Sequence, residues 1–171
     1  QGPTLLGHLE EAPINVARMA DEAFRMAVQW VNRPNLDFRG FAGQIGSGAV
    51  QPGDAIRVLP SGKTTTVKSI VTYGGTLDRA VAGQSITLTF ADEIDCSRGD
   101  VIVRADAPCE VADQFEATLV WMDEHEMLPG RPYLLKIGTQ TLTATVTEPP
   151  VASIGSTTMV TRSSSWVGTL K

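Results

Sequence analysis

Glycine and proline punctuate this chain at short intervals, together making up 26 of its 171 residues. The runs between them are rich in β-branched residues, with 18 Thr and 16 Val. Branching at Cβ stiffens a side chain and suits it to a pleated surface. Short β-type runs separated by turn signals predict an antiparallel barrel or sandwich.

The first 23 residues read differently. Pro3 to Glu10 resembles the end of a helix, with Leu5, Leu6 and Leu9 on one side. Asn15 is placed to cap a second short helix carrying Val16, Met19, Ala20 and Ala23 at helical spacing. From Phe24 the period becomes two, so 24–31 is predicted as the first strand, with Phe24, Met26, Val28 and Trp30 sharing a face. Phe41 to Val50 carries Gly43, Gly46 and Gly48 and reads as a strand with a bulge or a close backbone approach. Strands are predicted at 55–59, 64–73, 85–90 and 101–103. Turns are predicted at Gln51–Asp54, Pro60–Lys63 and Ser97–Asp100, and Gly74-Gly75 ends the strand before it. Ala105–Pro108 reads as a linker. Beyond it, strands are predicted at 115–122, 133–137 and 140–147, the last two turned at Gly138-Thr139. Residues 151–171 lack acidic groups and are rich in Ser and Thr, with Met159–Thr161 and Trp166–Leu170 as possible further strands.

The net charge of -5 argues against a general binder of nucleic acid or of anionic membrane. No apolar run reaches the roughly 20 residues of a membrane span, and the N-terminal residues have no signal-peptide pattern. Cys96 and Cys109 are too few for a disulfide framework or a structural zinc site and read as free thiols of a reducing cytoplasm, although a single bridge between them stays open. Ser61-Gly62-Lys63-Thr64 has the ending of a phosphate loop, but the earlier glycine is replaced by Arg57 and a strand follows. A hairpin turn is the better reading. Asp123-Glu124-His125-Glu126 groups four possible metal ligands and Asp92, Glu93 and Asp95 three carboxylates; both read as charged connections. Gly46-Ser47-Gly48 lacks the pattern of a nucleophile elbow. The expected sites are therefore no catalytic, cofactor or metal residue. The candidate contact residues are Arg33, Asn35, Asp37, Arg39 and Phe41, because arginine and aromatic groups favour interfaces; a local salt link with core packing is the competing reading.

The run Val28 to Phe41 closely resembles the GTPase subunit of bacterial sulfate adenylyltransferase, a family related to elongation factor Tu. So do Gly48–Asp54, Val58–Gly62, Asp92–Asp100, Phe115–Ala117 and Lys136–Thr139, and Gly2–Leu6 and His8–Glu10 are similar to the end of that subunit's GTPase domain. The resemblance implies an all-β chain: a closed antiparallel barrel of the translation-factor type, a partial second barrel and a short helical N-terminal segment. Its expected divisions are 1–23, the end of a GTPase domain and linker; 24–105, the first barrel; 106–148, part of a second; and 149–171, an unmatched tail.

In that family GTP hydrolysis drives formation of adenosine 5′-phosphosulfate from ATP and sulfate, and a partner subunit carries out the adenylyl transfer. Some relatives carry a fused kinase. The resemblance therefore implies a non-catalytic barrel region that contacts the GTPase domain and the catalytic subunit, with GTP and Mg only in a GTPase domain outside these residues. Open strand edges of an unfinished barrel add an expectation of homodimerisation. Two alternatives stay open: a repurposed ligand-binding or enzymatic barrel, and a severed remnant without activity.

Overall fold

A computed structural model describes residues 4–11, 21–118, 121–148 and 157–168. Helix α1 spans Leu5–Glu11. The strands that follow are β1 (Arg25–Ala27), β2 (Trp30–Asn32), β3 (Gly40–Ser47), β4 (Ala49–Val50), β5 (Ala55–Leu59), β6 (Thr64–Thr72), β7 (Gly75–Leu77), β8 (Ala80–Val81), β9 (Ser85–Phe90) and β10 (Val101–Arg104). Six of them close an antiparallel ring in the order β1-β10-β5-β6-β9-β3, with β3 returning to β1. The second helix expected from Val16 to Ala23 lies largely outside the described residues.

Alternation along each strand fills this ring. Phe24, Met26, Val28, Ile45, Ile56 and Leu88 are among its fully buried side chains. Removing each from water stabilises the fold by about 1.5–3 kcal/mol.

The single strand predicted over 24–31 is two. At Val28 and Gln29 the backbone leaves the ladder: Val28 N donates to Asp100 O at 2.9 Å, and Gly99 N donates to Val28 O at 3.0 Å. This break changes the parity, so Trp30 does not share the buried face of Phe24, Met26 and Val28 but is 64% exposed.

The glycines of β3 act as the sequence indicates. Arg25 pairs with Ser47 and Met26 with Ile45, leaving Gly46 as the extra residue of a bulge. A Cβ on Gly43 would collide with Ala27 O, so the β1–β2 break crosses β3 here at close range. Gly48 has φ +72°, and a Cβ there would lie 2.5 Å from Glu22 O and Phe24 N. The turn between β5 and β6 is closed by Gly62 N donating to Val58 O at 2.8 Å and Val58 N donating to Lys63 O at 2.9 Å. Gly74-Gly75 reverses the chain rather than ending its pairing, because β7 folds back on β6 with Thr72 opposite Gly75.

Beyond the linker, β11 (Glu110–Thr118), β12 (Pro132–Ile137), β13 (Gln140–Glu148) and β14 (Thr157–Gly168) form a second sheet in the order β11-β14-β13-β12. The strand expected over 115–122 starts earlier, at Glu110. Much of the segment expected as an unmatched tail is the inner strand β14, paired with β11 on one side and β13 on the other. The two sheets meet at the β12–β13 turn, where Thr139 Oγ1 donates to Val28 O at 2.9 Å. Arg25 Nε also approaches Cys109 Sγ at 2.7 Å.

Gly48→Ala is expected to lower the unfolding free energy by about 2–4 kcal/mol, since it adds a left-handed backbone penalty to a backbone collision. Gly53→Ala has φ +91° but open space around it, and should lose only about 1 kcal/mol. Urea titrations of both variants test this difference.

Candidate interaction surface

The segment from Asn32 to Gly40 leaves the edge of the ring at β2 and re-enters it at β3. Asn35 organises this loop. Its Oδ1 accepts hydrogen bonds from the amides of Asp37 at 3.0 Å and Phe38 at 2.9 Å, a side-chain turn that asparagine favours. Leu36, at the tip, is 85% exposed. Arg33 and Asp37 are exposed, and no ion pair links them to each other or to Arg39. The local salt link therefore does not form.

Phe41 requires a correction. It is 1% exposed and belongs to the core, so it has no outer surface to offer a partner. Its ring stacks on Phe90 with centroids 4.3 Å apart. The Arg39 guanidinium lies 5.4 Å from the centre of the Phe41 ring. Phe41 therefore supports Arg39 by cation–π attraction and contributes to the surface only through it.

Arg39 borders a hollow of about 260 Å³ that also includes Leu36, Asp37, Lys68, Phe90 and Glu93. Lys68 reaches it through a register shift: Val67 pairs with Phe90 and Ser69 with Thr89, leaving Lys68 unpaired between them. A bulge re-aims the side chain it carries. The partners of the 33–41 segment thus come from β6 and β9, decades of residues away in sequence. Only the pairing register brings them together, so reading the chain locally misses Lys68 and Phe90.

The other candidates resolve into structural roles. Asp92 accepts from Thr65 Oγ1 at 2.8 Å, and Asp95 pairs with Lys63 at 3.1 Å. The hydrogen bond and charge of Lys63 hold the Asp95 carboxyl below its ordinary range. Ser47 Oγ donates to Ala23 O at 2.7 Å. Lys63 closes the β5–β6 hairpin turn through its carbonyl, which accepts from Val58 N, and its ammonium is paired with Asp95. Asp123 Oδ1 accepts from the His125 amide at 2.8 Å and lies 2.9 Å from His125 Nδ1, and these bonds lower the Asp123 pKa. Among the described residues no three His, Cys, Asp or Glu side chains converge as a metal site.

Cys96 and Cys109 are not joined in a disulfide. Cys96 is 2% exposed, and burial pushes its thiol up to about 12. No helix among the described residues is long and apolar enough to cross a membrane.

Comparison with known proteins adds to this geometry. Residues 42–103 match the elongation factor Tu domain 2 family, and residues 114–160 match the GTP-eEF1A C-terminal domain-like family. The bifunctional enzyme NodQ of Rhizobium sp. (strain N33) is 53% identical over 147 residues, which cover 86% of this chain and 23% of that protein. Sulfate adenylyltransferase subunit 1 of Methylorubrum populi is 54% identical over 145 residues, 85% of this chain and 31% of its own length. The same-named subunit of Vibrio vulnificus (strain YJ016) is 56% identical over 137 residues, 80% of this chain and 29% of its own. The chain thus spans about a quarter to a third of the length of these relatives. Translation elongation factor SelB from Methanococcus maripaludis, in its apo form, shares the fold with a TM-score of 0.79 at 17% identity, covering 96% of this chain and 41% of that one.

Two measurements follow from the geometry. Asn35→Ala should speed amide exchange at Asp37 and Phe38 while leaving the core strands protected, as read by hydrogen–deuterium exchange. Cys96 stays neutral in the fold while an unfolded thiol ionises, so its stabilising share is complete below about pH 9 and declines towards about pH 12. The decline is about 1.4 kcal/mol per pH unit. Urea titrations between pH 8 and 11 should show this slope in the wild type and its loss in Cys96→Ala.

Proposed function

We propose that this chain, a homologue of part of sulfate adenylyltransferase subunit 1 and of NodQ, is a non-catalytic barrel region that works by contact. Identity above 50% over more than four-fifths of the chain carries this reading. In it, the barrel joins a GTP-binding domain to the second subunit of a cytoplasmic sulfate adenylyltransferase. Nucleotide state is passed between them as a change of position, and GTP and magnesium belong to that other domain. The surface at Arg33, Asn35, Asp37 and Arg39 is the proposed contact, with Phe41 beneath it. Ser47, Asp92 and Asp95 each hold a structural hydrogen bond or ion pair, which supports a binding role for this region.

Self-association is a second reading, favoured by β12. It lies at the edge of its sheet with Leu134 81% exposed, and an open edge invites pairing.

The test is size-exclusion chromatography with light scattering. The chain would be run alone, with the second subunit of the Methylorubrum populi enzyme, and with that subunit plus the GTP-binding portion of its subunit 1. Co-elution with either addition is the expected outcome. A single-chain mass in every mixture would remove both readings, whereas a doubled mass for the chain alone would favour the β12 edge.

A further inference from the structure

The hollow beside Arg39 holds two cations that have no hydrogen-bond acceptor among the described residues, although the Asp95 carboxylate lies within electrostatic reach of Arg39. Arg39 forms no hydrogen bond and no ion pair with any described residue, although it is only partly exposed. Lys68, which the β6 bulge directs into the same hollow, has none either. The Phe41 ring supports the guanidinium, and the Phe41–Phe90 stack buries that ring in turn. Such a stack restricts an arginine without using its in-plane donors. A planar fork held in this way matches a carboxylate through two parallel hydrogen bonds.

We propose that this hollow receives a protein segment carrying a single Asp or Glu beside an aliphatic residue. The carboxylate sits in the Arg39 fork with Lys68 nearby, and the aliphatic group packs against Leu36. The charges around the hollow define the ligand further. Asp37, Asp92 and Glu93 line it without pairing to Arg39 or Lys68, Asp92 being held by Thr65 Oγ1, so the hollow favours a basic segment around the one carboxylate that Arg39 takes. These acidic groups would repel a polyanion such as nucleic acid or a polyphosphate, but leave room for one carboxylate on such a segment. Leu36 is 85% exposed at the tip of a loop that Asn35 already holds in shape, so little ordering is lost on binding.

This inference depends on the preceding reading only for the identity of the partner, and its test uses no subunit. A random peptide library displayed on phage is selected on the whole chain and counter-selected on Arg39→Ala. Enriched peptides should share an Asp or Glu next to Leu, Ile or Val. Their synthetic versions should bind Arg39→Ala at least about tenfold more weakly, the usual loss for a charged hydrogen bond. Arg39→Lys keeps the charge but not the fork and should lose nearly as much, and Lys68→Met should lose less. Unchanged melting temperatures would show that the variants fold; should Arg39→Ala fail to fold, Arg39→Lys replaces it in the selection. Failure to enrich any peptide, enrichment of peptides without a carboxylate, or full binding by Arg39→Lys would each overturn the proposal. Carboxylate peptides found together with failed co-elution would remove the assigned partner and leave the hollow's chemistry standing.

Discussion

The pairing of β1 with both β10 and β3 is the contact on which the barrel depends. A twisted sheet of six short strands has two exposed edges until its ends meet. Here a strand of only three residues closes it. It can do so because β3 and the glycine that follows it yield in three ways. Gly46 bulges, Gly43 admits the backbone of Ala27, and Gly48 turns left-handed where a side chain would meet Glu22 and Phe24. With the ring closed, alternation alone buries Phe24, Met26, Ile45 and Ile56.

The same closure shapes the outer surface. Phe41 points inward from β3 onto Phe90, and Arg39, two residues earlier, lies against that ring. The position of the guanidinium therefore derives from core packing rather than from surface ion pairs, which contribute little when exposed. Lys68 reaches the hollow through a bulge in β6 in the same way. Irregularities in the ladder, more than the regular strands, decide which side chains line the hollow.

Much of this was legible in the sequence. The β-rich composition and the turn signals narrowed the fold to a barrel or sandwich, the family resemblance selected the barrel, and β5, β9 and the Gly138-Thr139 turn fall where the pattern put them. Local reading failed where tertiary contacts override the period of two. Trp30 lost its predicted face because Val28 bonds to the turn at Gly99 and Asp100 instead of to a neighbouring strand. Phe41 was read as a contact because interfaces and cores use the same residue types. The candidate surface was half visible: Arg33 to Arg39 form one continuous segment, whereas Lys68 and Phe90 join it only through strand register. Strand β14 was legible merely as two possible pieces, since nothing in a Ser- and Thr-rich segment states which strands it will lie between.

The ring order also bears on how the molecule is made. β1, the first strand of the ring to leave the ribosome, pairs with β10, the last, and their partners Arg25 and Val103 lie 78 positions apart. The nascent barrel therefore presents unpaired edges until β10 emerges. Folding dominated by such distant partners is slow and exposed to aggregation. Val28 waits longer still, because its carbonyl gains Thr139 only after a further 111 residues have been added. The closing contact of the finished fold is also the point at which its synthesis is most vulnerable.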